Sequence, residues 1–121
     1  SYASRVQVID GDIPLKANSG YKGELSDPKE KEWLMKVLNV VNYMESSKLW
    51  RDKIVQITVS DGGELSLVPR IGQEVFLFGQ PDDIEDKFRK MEMYYRNIVP
   101  EKGASHYTRV SVEYEGQIVC R

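Results

Sequence analysis

Residues 50–79 read WRDKIVQITVSDGGELSLVPRIGQEVFLFG, three short apolar runs divided by turn chemistry. In the first run Val55, Ile57 and Val59 alternate with Gln56 and Thr58, the period of a strand with two unlike faces. Asp61-Gly62-Gly63 supplies residues that tolerate positive φ, as a tight hairpin requires. Leu65 and Leu67 extend the apolar face, and Pro69, which has no amide for a ladder, marks a strand end or edge. Val75-Phe76-Leu77-Phe78 is apolar on both sides, so both faces of that strand should be at least partly covered. The spacing predicts an antiparallel meander followed at once by a helix. No cluster of reactive side chains accompanies it, which points to a binding sheet and away from a catalyst.

On the N-terminal side, residues 5–9 alternate polar and apolar and suggest a short strand. Asp10-Gly11, Pro14, Gly20 and Gly23 then punctuate an irregular stretch. Asp27, Pro28 and Glu30 form a helix-start signature of cap, first-turn proline and capping-box acid. Trp33, Leu34, Val37, Leu38, Val41 and Met44 follow at helical spacing and predict one core-facing stripe ending near Ser46-Ser47. On the C-terminal side a second helix is predicted from Asp82 or Asp83. Its stripe is Ile84, Phe88, Met91, Tyr95 and Ile98, and Pro100 and Gly103 should stop it. The last hairpin should run from Tyr107 to Tyr114, turn at Glu115-Gly116 and return through Gln117 to Cys120. Val110, Val112 and Tyr114 share one of its faces; Arg109, Ser111 and Glu113 share the other. The sum is an α+β fold, a mostly antiparallel sheet (meander plus C-terminal hairpin) with two amphipathic helices expected on one face.

The chain has 121 residues, enough for one domain around a single core. Seventeen basic residues against nineteen acidic give a net charge of −2, which argues against a general polyanion binder. No apolar run approaches the roughly 20 residues needed to span a bilayer, and no signal peptide opens the sequence. The chain starts Ser1-Tyr2-Ala3 and reads as a fragment or processed form, so an anchor outside it stays open. The one cysteine, Cys120, has no internal disulfide partner and supports no thiolate metal cluster.

Reactive groups are sparse. His106, the one histidine, has no Ser, Cys or carboxylate at triad or metal-ligand spacing. Asp82 with Asp83, or Asp86 with Glu92, could be read as acid/base pairs, but acids at a helix start also meet the helix dipole favourably. The glycines match neither a Walker A loop nor a dinucleotide fingerprint. No catalytic residue, cofactor or metal site is therefore assigned. Tyr94, Tyr95, Tyr107 and Tyr114, with Arg96 and Arg109, could make a stacking face for single-stranded nucleic acid; this is the alternative reading. Gln117-Ile118-Val119-Cys120 carries neither proline nor lysine. A terminal strand of that kind either takes on a partner's strand or is covered by its own molecule, and the sequence leaves both open.

Trp50-x-x-x-Ile54-x-x-Ile57, the Gly63-x-Leu65-x-Leu67-x-Pro69-x-x-Gly72 run, Leu77-x-Gly79, Lys87-Phe88 and Val110-x-Val112-x-Tyr114 together resemble the β domain of the FtsQ/DivIB bacterial division family. The likeness runs from about Trp33 to Val119. It implies that residues 1–121 form one β domain, with 1–25 as an N-terminal strand and lead-in, and that a membrane helix and a POTRA domain lie outside this stretch. It further implies a non-enzymatic divisome scaffold on the periplasmic side of the inner membrane, held there by a single N-terminal helix. In that family the last strands receive an extended segment of FtsB, which associates with FtsL. Carried over by position, the partner-binding residues are Val112, Glu113, Tyr114, Glu115, Gly116, Gln117 and Val119. A proline at Val119 is then expected to abolish binding. Relatives carry Asp-Leu-Arg-Tyr where this chain has Ser111-Val112-Glu113-Tyr114, so the implied charge pairing changes sign at Glu113.

Overall fold

The computed structural model describes residues 8–11 and 28–121. Six strands form one sheet in chain order: β1 (Val8–Gly11), β2 (Ile54–Val59), β3 (Leu65–Pro69), β4 (Val75–Gly79), β5 (Arg109–Ser111) and β6 (Val119–Cys120). The pairs β2/β3, β3/β4 and β5/β6 are antiparallel, whereas β1/β2 and β4/β5 are parallel. Antiparallel neighbours need only a turn, but parallel neighbours need a crossover long enough to bring the chain back. Helix α1 (Pro28–Ser46) makes the first crossover. Helix α2 (Ile84–Met93), a π-helical turn (Tyr94–Ile98) and the short α3 (Val99–Lys102) make the second. The fold is α+β with a mostly antiparallel sheet. The two parallel pairings add to the expected meander and hairpin.

Several local expectations need correction. The first strand is described at Val8–Gly11, so it includes Val8 and Ile9 of the expected residues 5–9 and runs on to Gly11; positions 5–7 and the cap Asp27 lie outside the described residues. In β2 the register steps from Ile54 opposite Pro69 to Gln56 opposite Val68. Val55 is thus the extra residue of a bulge, and Ile54, not Val55, joins Ile57 and Val59 in the core. In α1, Val37 and Met44 are buried as expected, but Val40 completes the buried set while Leu38 stays 44% exposed.

The second helical run also departs from a plain α-helix. A proline in a helix interior lacks the amide for the carbonyl four residues back and crowds it. Here the helix widens to π geometry just before Pro100, which is carried inside α3 and does not stop the helix. Gly103, at φ +99, ends the run, its amide bonded to the Val99 carbonyl at 2.7 Å. The widened turn lets consecutive residues face inward: Tyr94 is fully buried beside the half-buried Tyr95. Asp83, expected within the helix start, instead precedes it in a left-handed conformation without a side-chain cap bond.

The core is knitted by rings. Tyr43 of α1 stacks on Phe88 of α2 at 4.9 Å, and Phe88 lies 5.2 Å from Phe78 of β4. Trp50 approaches Phe88 at 5.5 Å, and Tyr94 meets Phe76 edge-on at 5.8 Å. Such pairs add about 0.5–1.5 kcal/mol each beyond simple area burial. Trp33 anchors α1 to the first hairpin by donating its indole N–H to the Gly63 carbonyl at 2.9 Å. Along the strands the alternate residues Thr58, Ser66, Val68, Val75 and Leu77 are half-buried and line a shallow cavity of about 420 Å³.

Candidate functional site: the C-terminal strand margin

The last hairpin is much shorter than its sequence pattern suggests, with three residues in β5 and two in β6. Pairing ends within one residue. The Val112 amide still donates to the Leu77 carbonyl at 3.0 Å, but the Val112 carbonyl turns away and accepts a bond from Lys90 Nζ at 3.1 Å. The Tyr114 carbonyl also accepts from Lys90 Nζ. The turn beyond is closed by Gly116 at φ +70 and by the Gln117 amide bonding to the Tyr114 carbonyl at 3.2 Å.

Register settles which main-chain groups face out. Arg109 and Arg121 exchange both bonds, at 3.1 and 2.9 Å. In an antiparallel ladder such mutual pairs alternate with pairs whose polar groups point away. Ser111 opposite Val119 is then the next mutual pair, and Cys120 opposite Val110 is a non-bonded one. The amides and carbonyls of Ile118 and Cys120 consequently point to the outer side of β6, the last strand in the sheet. Among the described residues no strand pairs on that side.

The residues proposed from sequence do not all present a surface here. Val112 is fully buried with both backbone groups bonded, so it anchors the margin from below. Glu113 is half-buried; its carboxylate accepts from the Ser111 hydroxyl at 3.0 Å. Gly79, at φ +79, is what admits Glu113, because a Cβ at that glycine would lie 2.8 Å from Glu113 Cβ. Tyr114 is 51% exposed, and Glu115, Gly116 and Gln117 are exposed around the turn. Val119 is half-buried and pairs with Ser111, so its amide serves the molecule's own ladder. A proline there would break the hairpin itself.

Sequence reasoning missed the outward groups of Ile118 and Cys120, although strand parity from the Gly116 turn could have indicated them. It also missed two buried lysines, Lys87 and Lys90, at 4% and 7% exposure. Their spacing of three placed them on the apolar stripe side, next to Phe88 and Met91, a signal that charge alone obscured.

The remaining candidates are accounted for by structure. Tyr94 is buried, the Tyr95 hydroxyl donates to buried Glu74 at 2.6 Å, and Tyr107 is half-buried against the core. Only Tyr114 of the four tyrosines is exposed, so the aromatic–basic stacking face of the alternative reading is not assembled. Burial, followed by the Glu74 hydrogen bond and charge, holds the Tyr95 hydroxyl pKa far above its ordinary range. Burial also raises the Cys120 thiol, leaving it a poorer nucleophile. Asp82 pairs with Lys87 at 3.0 Å, Asp86 with Arg89 at 2.9 Å, and Glu92 with Arg96 at 2.9 Å. His106 is exposed, its ring edge-on to Tyr107. Among the described residues no group of three His, Cys, Asp or Glu side chains could hold a metal, and no helix is long and apolar enough to cross a membrane.

No curated protein matches the chain. The model of the family described as FtsQ/DivIB, C-terminal related, matches residues 1–121. A match over the whole length shows that the chain belongs to the FtsQ/DivIB, C-terminal related family of cell division proteins.

Proposed function

We propose that this domain is a non-enzymatic divisome scaffold that takes up an extended segment of an FtsB-type partner, itself associated with an FtsL-type protein, along the outer side of β6. Membership of a cell division family supports the scaffold role. The observation that carries the docking mode is the outward direction of the Ile118 and Cys120 backbone groups on the terminal strand. In strand addition, main-chain bonds supply affinity and alternate side chains select the partner. Tyr114 offers an exposed amphipathic ring beside that strand, and Glu113, Glu115 and Gln117 line the turn with polar groups. Rim charges of this kind act mainly on encounter rate and discrimination. The domain then works on the periplasmic side of the inner membrane, tethered by a preceding membrane helix and POTRA domain.

The test is a calorimetric titration with the extracytoplasmic segment of the FtsB-type protein from the same organism. Binding that weakens on Glu113→Lys supports the assigned margin and a basic partner residue opposite Glu113. Absence of binding by the unaltered domain sinks the proposal.

A further inference from the structure

Lys87 and Lys90 lie one turn apart on α2 and are both more than nine-tenths buried. A buried ammonium is costly unless its donors are satisfied, so the groups it bonds to define its role. Lys87 acts locally. Its Nζ donates to the Gln80 carbonyl at 2.8 Å and to Asp82 at 3.0 Å, closing the connection from β4 into α2. Lys90 reaches much further along the chain, to the carbonyls of Val112 and Tyr114, with Asp86 at 3.6 Å on its solvent side.

Those two carbonyls bracket Glu113. The Tyr114 carbonyl would keep the Gln117 amide without Lys90, but the Val112 carbonyl would lose its donor, and with it the tie that holds the chain turned out of the β4/β5 ladder after the Val112 amide. The Lys90 bonds end β5 at that point and set the path through Tyr114 into the Gly116 turn, from which β6 returns opposite β5. We propose that Lys90 is the positioning residue of the docking margin: it touches no partner, but fixes where Glu113, Tyr114 and β6 stand. This assignment rests on the docking function proposed above. A Lys suits the task because its aliphatic stem can lie in the core beside Met91 and Val112 while three donors fan out at its tip.

The test compares Lys90→Met with Lys87→Met, which removes the same kind of group from the same helix but leaves the margin's own bonds intact. Three readouts are taken on the whole domain: urea unfolding, amide hydrogen exchange over residues 113–120, and titration with the FtsB-type segment. Lys90→Met is expected to speed exchange across 113–120 and weaken binding, each by about tenfold or more, while β2 and β3 stay protected. Lys87→Met should lower stability yet keep affinity within about threefold. Lys90→Arg, which retains the cation and several donors, should restore both protection and affinity to within about threefold. Lys90→Gln, whose neutral amide is shorter and carries two donors in place of three, serves the same comparison should the Met variant fail to fold. Equal loss of affinity in the two Met variants, or unchanged exchange over 113–120 in Lys90→Met, overturns the assignment. Faster exchange in Lys90→Met, with no binding even by the unaltered domain, upholds the Lys90 role in shaping the hairpin and overturns the docking function instead.

Discussion

Replacing Cys120 by proline should damage partner binding while sparing the fold. Cys120 sits opposite Val110 in a non-bonded pair, so its amide points away from β5. Proline is compatible with an edge strand when the missing amide lies on the solvent side. The β5/β6 ladder keeps its bonds at Ser111 with Val119 and at Arg109 with Arg121. The half-buried thiol contributes modest packing, so stability should change by about 1 kcal/mol or less. A docked strand would use the outward amides and carbonyls of Ile118 and Cys120, each bond contributing about 0.5–1.5 kcal/mol net. Proline removes one donor, and its ring crowds the approach of the neighbouring bonds. The expected loss is about 1–3 kcal/mol, or roughly 5- to 150-fold in Kd. Val119→Pro provides the contrast, because it deletes an amide the hairpin itself uses and should lower stability by about 1–3 kcal/mol. Calorimetric titration with the FtsB-type segment, alongside urea unfolding of each variant, separates the two effects. Unchanged affinity in a normally folded Cys120→Pro domain refutes docking along β6.

Gly79→Ala should destabilise by about 2–3 kcal/mol, since it combines φ +79 with a Cβ only 2.8 Å from Glu113 Cβ; the urea midpoint reads the change. Tyr95→Phe removes the donor to buried Glu74, whose other oxygen already has no partner, and should cost about 1–3 kcal/mol. Tyr95 also predicts an alkaline limit. Its raised folded-state pKa means that the unfolded chain loses the hydroxyl proton first, so its stabilisation holds below the ordinary 10.0 and is lost as pH rises beyond it. Tyr95→Phe should flatten that decline in unfolding measurements at high pH. Tyr114→Ala, at an exposed position, should leave stability within about 0.5 kcal/mol but weaken titration with the partner segment.

Much of the sheet was legible because each strand announces itself by parity and turn residues. Gly63 at φ +81 closes the predicted hairpin, with Ser60 and Glu64 bonded across it at 2.9 Å, and Pro69 ends β3. Pro28 opens α1. Parity fails wherever one residue is added. The Val55 bulge hands its core position to Ile54, and the π turn brings Tyr94 inward, and no single-residue preference marks either insertion. The parallel pairings were implicit in the strand–helix–strand order of β1, α1, β2 and of β4, α2, β5. At the margin, the alternating run from Val110 to Tyr114 looked like one continuous strand. Its early end depends on Lys90, a tertiary partner 22 residues away from Val112 and therefore invisible to local pattern.

Spatial order in this sheet follows the chain from first strand to last. As synthesis proceeds, every new segment can settle against the one laid down before it, without being threaded between strands already in place. Among the described residues β6 forms one flank of the sheet, and on the docking function proposed above that flank is where another polypeptide continues the pattern. A docked division partner would then perform, between molecules, the same step by which the domain built itself. Deleting residues 119–121 should shift that landing place one row inward while β2, β3 and β4 stay paired.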